Sequence, residues 1–203
     1  MASFDPQKTE TKTIAKLLNG AIIPRPIAFV ISMSSEGVIN ASPFSYFNAI
    51  SSNPPMLMIS VNRKNGLMKD TARNILTTRQ FIVHIVDPSI ISEVNQTSAS
   101  LPYGDSELDN STLTLRQSEI VAVPSVKEAK VTFEVLLEDH QVYGNEKGTG
   151  TDVFIGRVVN IVIDDQLINE NNHVDFEKLN PVGRLSGTHY AVLGEHFSLE
   201  RPR

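Results

Sequence analysis

Residues 40–48 carry side chains that together could bind a flat aromatic molecule. They include two serines, two phenylalanines, a tyrosine and asparagine, directly after a predicted strand. This mixture offers aromatic surface beside hydrogen-bonding groups, which suits a heteroaromatic ligand with polar edges. An ordinary serine-capped loop with aromatic core residues has the same composition, and without further support that second interpretation is favoured.

A cationic stretch follows shortly afterwards and supplies that support. Residues 63–79 contain five lysines and arginines, and Asp70 is the only acid among them. A solvated helix face explains such a run equally well. However, segments 60–63 and 69–74 fall at a predicted strand end and in the first turns of a predicted helix, where backbone N–H groups and cations favour phosphate. An aromatic loop beside a phosphate-binding stretch predicts a mononucleotide site.

Other catalytic chemistries lack the residues that they need. The chain contains no cysteine, which excludes thiol nucleophiles, cysteine-bound zinc, iron–sulfur clusters and disulfides. It has no nucleophile elbow or Walker loop, and the glycines at 148 and 150 lack the third glycine of a dinucleotide fingerprint. The five histidines show no metal-binding spacing, so we expect no metal site. We interpret His84, between apolar residues of a predicted strand, as structural.

The composition is that of a globular protein. A chain of 203 residues and 22.4 kDa predicts a single domain over residues 1–203, long enough to fold without metal or disulfides. The formal net charge of −5 argues against nucleic-acid binding. The sequence has no apolar run of about 18 residues and no signal-peptide pattern in residues 1–10. We therefore expect a soluble, cytoplasmic protein that binds neither nucleic acid nor membrane.

The elements that would position the candidate residues are mostly strands. Apolar runs and alternation predict strands at residues 27–32, 38–41, 56–61, 80–86, 131–138 and 153–163, with an irregular strand at 113–121. Helices are predicted at residues 9–18, 65–76 and 87–95, a loop with a helical turn at 99–110, and a glycine-rich hairpin turn at 144–150. Many strands with few helices predict a closed antiparallel barrel with helices outside.

Four groups of motifs together resemble the flavin reductase-like family. They are Pro24-Arg25-Pro26-Ile27-Ala28-Phe29-Val30; residues 40–48 followed by Asn53-Pro54-Pro55; Lys69-Asp70-Thr71 with Asn74, ahead of Phe81-Ile82-Val83-His84; and residues 181–190. The similarity spans about residues 22–203 and is closest to the flavoredoxin-like branch. It implies a mainly β fold, a six-stranded antiparallel Greek-key split β-barrel with a few peripheral helices, which binds FMN near the interface of a homodimer.

The same resemblance implies a set of site residues. Those implied to line the isoalloxazine ring and ribityl chain are Ser42, Pro43, Phe44, Ser45, Phe47 and Asn48. Those implied to surround the phosphate are Ser60, Asn62, Arg63, Lys69, Asp70 and Thr71, and a C-terminal motif near the pocket contributes Arg184 and Tyr190. Flavoredoxin-type relatives often carry a cysteine near the flavin; this chain has none, which excludes thiol-assisted chemistry.

The leading functional hypothesis is an FMN-dependent oxidoreductase that takes a hydride from NADH or NADPH and passes electrons to a downstream acceptor, such as a partner oxygenase. In such enzymes the flavin performs the chemistry, so no side chain is predicted to be catalytic. The alternative is an FMN-binding electron carrier or flavin store without nicotinamide turnover. Residues 98–110 would decide whether a nicotinamide can stack on the ring. A relative that has lost its flavin is disfavoured by the intact Lys69-Asp70-Thr71.

Overall fold

The structure, a computed structural model, describes residues 1–99, 101–102, 104–144 and 150–202. This part of the chain is mainly β, with short helices. The strands are β1 (Arg25–Pro26), β2 (Ala28–Met33), β3 (Ile39–Phe44), β4 (Phe47–Ser52), β5 (Pro55–Asn62), β6 (Gln80–Ile85), β7 (Leu115–Arg116), β8 (Ser125–Val126), β9 (Val131–Tyr143), β10 (Thr151–Ile163), β11 (Gly183–Arg184) and β12 (Tyr190–Ala191). The α-helices are α1 (Thr11–Ala21), α2 (Asp70–Thr78), α3 (Ile91–Gln96) and α4 (Phe176–Leu179), with 3₁₀ helices at Glu107–Asn110 and Asp165–Leu167.

Seven strands form the main antiparallel sheet, in the order β3-β2-β6-β9-β10-β5-β4. Since successive strand residues point to opposite faces, this sheet buries apolar side chains on both of them. One apolar cluster contains Phe29 and Ile82, and a second contains their neighbours Val30 and Phe81. Burial on both faces explains why β2 and β6 are unbroken apolar runs in the sequence.

The strands β9 and β10 form the long hairpin that the alternating pattern predicts. They pair as far as Tyr143 opposite Thr151, and residues 145–149 of the predicted turn lie outside the described residues. The pairing register shifts at Gly156, where an added Cβ would lie 2.3 Å from Val135 Cγ1. A glycine is therefore required where β10 passes close to the core.

The predicted mainly β fold with few helices is confirmed, but the closed barrel predicted from the strand pattern and the six strands implied by the family resemblance are both wrong. The main sheet has seven strands, and no ladder joins its edge strands β3 and β4 within the described residues. The strand missing from the sequence analysis is β4. Residues 40–48, interpreted as one loop, form the end of β3, a turn at residues 45–46 and the start of β4. Because β4 is an edge strand with mostly exposed side chains, its sequence lacks the apolar signal of a buried strand.

The helix α2 begins at Asp70, five residues after its predicted start at Asn65. Asn65 has a left-handed backbone φ of 52°, inside a tight turn that is closed by bridge pairing between Lys64 and Leu67. Asparagine tolerates this conformation well, and the same property makes it a good helix cap. The sequence therefore could not distinguish the turn from a cap.

The other short elements also differ from their predicted bounds. The helix α1 spans residues 11–21 rather than 9–18, and none of its side chains is buried. The helix α3 starts four residues later than predicted, at Ile91. Only the two-residue strand β7, paired with β8, replaces the irregular strand predicted at 113–121. Among the helices described, none combines the length and the apolar character needed to cross a membrane.

Candidate functional site

A cavity of about 900 Å³ opens where α1, the β3–β4 turn, the end of β5, α3 and residues 184–190 meet. Small-molecule sites typically have volumes of about 300–1,000 Å³, so this cavity is at the large end of the range. Eight of the fourteen predicted site residues line it: Pro43, Phe44, Ser45, Ser60, Asn62, Lys69, Arg184 and Tyr190. The structure thus brings together the aromatic segment, part of the cationic stretch and the C-terminal motif.

Lys69 reaches the cavity from the position that precedes α2. Its ammonium nitrogen lies 5.7 Å from the centre of the Phe44 ring, within the range of cation–π contacts. Partial burial lowers the pKa of Lys69, and the charge of Lys64 lowers it further. An anion bound beside Lys69 would offset both effects, so this part of the cavity suits a phosphate.

Arg25 joins three walls of the cavity, although the sequence analysis does not assign it to the site. Its Nη1 donates to the carbonyls of Asn19 at 2.8 Å and Ile22 at 2.6 Å, at the end of α1. Its Nη2 donates to the Leu185 carbonyl at 2.8 Å, and its Nε donates to the Ser45 hydroxyl at 3.4 Å. One feature of the sequence could have pointed to Arg25. It lies between two prolines, which fix the backbone around it.

Arg184 and Tyr190 form a second connection across the cavity. The Arg184 guanidinium lies 4.5 Å from the Tyr190 ring centre, and it donates to the Tyr190 hydroxyl and to the Gly187 carbonyl. The Tyr190 hydroxyl in turn donates to Asn95 Oδ1 on α3 at 3.1 Å. The C-terminal motif is therefore tied to α3, as a wall of the cavity requires.

The helix α1 supplies a wall that the sequence analysis does not anticipate. Lys12, Ala15, Lys16 and Asn19 line the cavity, and their spacing places them on one face of the helix. The Tyr46 hydroxyl donates to Asn19 Oδ1 at 3.0 Å, which links this face to the β3–β4 turn. The apolar residues of α1 recur on the opposite face of the helix. The polar face that they leave could have indicated these cavity residues in the sequence.

Three of the residues predicted to contact the ring do not line the cavity. Ser42 is half-buried in β3 opposite Val30, and Phe47 packs against the apolar core. Asn48 is exposed on β4, and its Oδ1 accepts a hydrogen bond from the Ala49 amide at 2.9 Å. A single copy of the chain therefore does not bring these three residues to the cavity.

Arg63, predicted at the phosphate, is bound to an acid instead. Its guanidinium donates to both carboxylate oxygens of Asp152, at 2.8 and 2.9 Å, and a nitrogen of His140 lies 2.9 Å from the same carboxylate. Burial would raise the pKa of Asp152, but the hydrogen bonds from Arg63 and His140 outweigh it and lower that pKa. This ion pair joins β5 to β10 and leaves Arg63 outside the cavity lining.

Asp70 and Thr71, the other two residues predicted at the phosphate, also lie outside the lining. Asp70 pairs with Arg73 on the next turn of α2 at 3.0 Å. Thr71 is only 1% exposed, and its hydroxyl donates to Asn40 Oδ1 at 2.6 Å. Of the Lys69-Asp70-Thr71 motif, only Lys69 therefore enters the cavity.

The lining of the cavity is cationic and partly aromatic. Five of its side chains are basic: Lys12, Lys16, Arg25, Lys69 and Arg184. The lining residues that the structure describes include no aspartate, glutamate or histidine, while Phe44, Tyr46 and Tyr190 provide aromatic surface. This donor set fits an aromatic molecule with negative charge, as FMN is. It offers no carboxylate or imidazole for acid–base chemistry.

His84 is a buried structural residue, as the sequence analysis predicts. Its Nδ1 lies 2.9 Å from the Thr132 hydroxyl, and its Nε2 accepts a hydrogen bond from the Val126 amide at 2.9 Å. Burial, with a smaller effect of the Arg116 charge, lowers the pKa of His84 to about 3. The ring is therefore neutral at physiological pH, with both nitrogens engaged.

The chain belongs to the flavin reductase-like family. The family description "Flavin reductase like domain" matches residues 20–178, which confirms the resemblance seen in the motifs. The two lysines of α1 and Arg184 lie outside the matched residues. The segments that flank the family domain therefore contribute three of the five cations of the cavity.

Solved structures support this membership. Nitrilotriacetate monooxygenase component B from Bacillus cereus is 44% identical, with a TM-score of 0.94 and 98% of both chains covered. The 2-nitrobenzoate 2-nitroreductase NbaA from Pseudomonas fluorescens is 28% identical, with a TM-score of 0.89 over 99% of this chain and 96% of its own. The flavoredoxin of Desulfovibrio vulgaris (Miyazaki F) shares the fold at 20% identity, with a TM-score of 0.74 over 88% of this chain and 91% of its own.

Proposed function

We propose that the chain binds FMN in the cavity and acts as a cytoplasmic, NAD(P)H-dependent flavin oxidoreductase. The observation that carries this proposal is the lining of five cations and three aromatic rings without an acid among the described lining residues. FMN combines a flat heteroaromatic ring with a phosphate, and a phosphate monoester carries a charge of about −1.5 to −2 at neutral pH. Membership of the flavin reductase-like family supports the same ligand.

The chain's own residues hold and orient the ligand in this proposal. Lys69 binds the phosphate, with Asn62 and Ser60 beside it at the end of β5. Its ammonium group lies next to the Phe44 ring, so one ligand can place its phosphate at Lys69 and its aromatic ring against Phe44. Phe44 and the β3–β4 turn contact the ring. FMN, when bound, supplies the hydride and electron transfer itself. We therefore assign no side chain a catalytic role, in keeping with the absence of a carboxylate or an imidazole among the described lining residues.

A homodimer completes the proposed site. Exposed apolar side chains, including Ile22, Ile23 and Ile50, lie on the segments next to the cavity and would be buried by a second copy. In such a dimer, the exposed Asn48 of one chain would reach a flavin held by the other. Sedimentation should give about twice 22.4 kDa. A monomer that binds FMN tightly would contradict this arrangement.

We propose a partner oxygenase as the electron acceptor. The Bacillus cereus protein is a component of a monooxygenase, and it is 44% identical over nearly the whole chain. The Pseudomonas fluorescens protein is a nitroreductase, which favours direct reduction of a nitroaromatic as the second candidate. Reduced flavin that leaves the protein would serve an oxygenase, whereas flavin that stays bound would serve a small acceptor.

A spectrum of the purified protein, followed by anaerobic addition of NADH and NADPH, tests the proposal. We expect FMN to bind, and its absorbance near the visible maximum to be lost within seconds of adding one of the dinucleotides. Filtration after reduction separates released from retained flavin and so distinguishes the two acceptors. FMN that binds but is not reduced by either dinucleotide would identify an electron carrier instead. A protein that does not bind FMN would contradict the proposal as a whole.

A further inference from the structure

The helix α1 presents two lysines to the cavity at positions where they do not stabilise the helix. Lys12 and Lys16 are four residues apart on its cavity face, so their Cβ atoms are about 5–6 Å from each other. Like charges at this spacing destabilise a helix, and Lys12 also lies in the first turn, where the helix dipole disfavours a cation. No acidic residue occupies that first turn.

One acid, Glu10, stands at the N-cap position directly before that turn, and its side chain forms no cap hydrogen bond. Neither lysine forms an ion pair within the described residues, whereas Lys8, just before the helix, pairs with Asp5. The helix buries none of its own side chains, so the two lysines are not there to cover a packed surface. The remaining consequence of their placement is a local concentration of positive charge on one wall of the cavity.

The other cations of the cavity already have partners or a proposed ligand. Arg25 donates to three carbonyls, and Arg184 donates to Tyr190 and Gly187. Lys69 is the cation next to the aromatic surface. If Lys69 holds the phosphate of FMN, as proposed above, the two α1 lysines remain for a different anion. A volume of about 900 Å³ leaves space for a second ligand.

We infer that Lys12 and Lys16 form an anion subsite for the second ligand of the cavity, the molecule that exchanges electrons with the flavin. This inference rests on the proposed function. The ligand is an aromatic compound that carries a phosphate or a carboxylate, and the lysine pair holds that acidic group. The two lysines precede the residues that match the family domain.

The test compares the double variant Lys12→Gln/Lys16→Gln with the control Lys8→Gln/Lys127→Gln. The control removes the same total charge from exposed positions outside the cavity lining. Binding to the oxidised, FMN-loaded protein is followed by the flavin spectrum, so no turnover is needed. The probes are NAD⁺ and NADP⁺ as phosphate sources, and 2-nitrobenzoate with uncharged nitrobenzene as the carboxylate pair.

We expect the α1 variant to bind at least one anionic probe about 10- to 100-fold more weakly than the control, since each charge-assisted contact is strong. If only the dinucleotides bind the α1 variant more weakly, the anion that the lysines hold is a phosphate. If only 2-nitrobenzoate binds more weakly, that anion is a carboxylate. Nitrobenzene should bind both variants within about twofold, and FMN should lose less affinity in the α1 variant than that anionic probe does. Unchanged affinity for every anionic probe, or no binding of any by the loaded wild type, would overturn the inference.

A loss of FMN affinity equal to the loss for the probes would also overturn it, because the lysines would then belong to the flavin site. Calorimetry of inorganic pyrophosphate with the flavin-free protein separates the inference from the proposed function. If the wild type does not bind FMN, the proposed function fails. In that case, the inferred anion subsite is supported if pyrophosphate binds the control at least tenfold more tightly than it binds the α1 variant. The inference is wrong if pyrophosphate binds the two proteins equally.

Discussion

The strand β3 has a polar region at each end, and the two regions are built differently. At its end, Pro43 and Phe44 lie in the cavity wall, beside side chains that are open to a ligand. At its start, Asn40 belongs to a buried polar cluster whose members are at most 7% exposed: Ser32, Asn40, Thr71, Asn74 and Glu107. Asn40 donates to Glu107 at 2.8 Å and accepts from Thr71 at 2.6 Å, and Asn74 donates to Ser32 at 3.2 Å.

This comparison shows how to separate polar residues that hold the fold from those that could hold a ligand. The polar atoms of the cluster are satisfied by one another, so they stabilise β3, α2 and the 3₁₀ helix that carries Glu107. The cavity has five cations but no acid among its described lining residues, which leaves its charge for a ligand to balance. Lys69 and Thr71 are two residues apart, yet they belong to different regions, because Lys69 is extended before the start of α2 whereas Thr71 is buried within the helix.

The largest effect should follow from Arg25→Ala, which removes the connection between the walls of the cavity. Its guanidinium donates to α1, to the β3–β4 turn and to residue Leu185. Hydrogen bonds from a charged group contribute about 1.5–3 kcal/mol each, and they are not additive. We expect a free energy of unfolding lower by about 3 kcal/mol and FMN binding weaker by about 100-fold or more.

The matched control for Arg25→Ala is Arg157→Ala. Arg157 is likewise a hydrogen-bonded arginine, but its two bonds go to the Glu138 carboxylate on an exposed surface, where such pairs contribute about 0–1 kcal/mol. Urea unfolding and flavin fluorescence quenching give the two readouts. If Arg25→Ala is folded and binds FMN within threefold of wild type, the cavity does not depend on the hydrogen bonds of Arg25. The claim that Arg25 holds the cavity walls in place for a ligand would then be wrong.

A second experiment separates the two regions within a single motif. Lys69→Ala should weaken FMN binding about 10- to 150-fold, the equivalent of one charge-assisted bond of about 1.5–3 kcal/mol. Riboflavin lacks the phosphate, so its affinity should be unchanged. Thr71→Val should instead lower the free energy of unfolding by about 1–3 kcal/mol, because Asn40 Oδ1 loses its shortest hydrogen bond.

Fluorescence titration with both flavins, together with urea unfolding, measures each effect. Thr71→Val should bind FMN within about threefold of wild type. If it loses FMN and keeps its stability, the hydroxyl acts on the phosphate, as the family resemblance implies, and the division of the motif between two regions is wrong.

The buried cluster should also have a pH signature. Burial raises the pKa of the Glu107 carboxyl, although its hydrogen bonds with the Ala41 amide and the Asn40 side chain oppose the shift. A carboxyl with a higher pKa in the folded than in the unfolded chain stabilises the fold fully only while it is protonated. Its contribution therefore declines as the pH rises from the ordinary pKa of a glutamate through the raised one.

Glu107→Gln removes this titration and keeps an oxygen that accepts hydrogen bonds. The difference in unfolding free energy, wild type minus variant, should fall as the pH rises from about 4 to 8. Acids with lowered pKa values, such as Asp152 and Glu134, titrate in both proteins and cancel in the difference. FMN affinity should stay within about threefold. A difference that increases with pH would mean that the ionised carboxylate is the favoured form in the cluster.

The sequence predicted best where one physical signal dominates. The buried strands β2 and β6 and the alternating hairpin β9–β10 were predicted correctly in type and place, because burial determines their composition. The family motifs identified the aromatic and C-terminal parts of the cavity. The edge strand β4 was not predicted, because its exposed side chains carry no apolar pattern.

The rest of the site depends on long-range contacts that no local pattern contains. Arg63 is a cation in a cationic stretch, but its partner Asp152 is on β10, and only the pairing of β5 with β10 brings them together. Lys12 and Lys16 lie more than 25 residues before the β3–β4 segment of the cavity in the sequence. Their place in the cavity follows from the contacts of Asn19 with Arg25 and Tyr46.

The smallest effect should come from the histidines, which lie outside the cavity lining. His84 is engaged on both ring nitrogens and neutral, and His189 is exposed. If positioning rather than proton transfer by the protein limits flavin reduction, His189→Ala and His84→Gln should keep the rate within about tenfold of wild type, a barrier change under ~1.4 kcal/mol. Stopped-flow reduction of the FMN-saturated variants by NADH and NADPH measures this rate.

Asn48→Ala is the positive comparison, because a residue that reaches the flavin from the second copy should change FMN affinity and reduction rate together. A histidine variant that binds FMN normally but is reduced a thousandfold more slowly would show that an imidazole is required, and the described cavity lining, which contains no histidine, could not then be the whole reacting site.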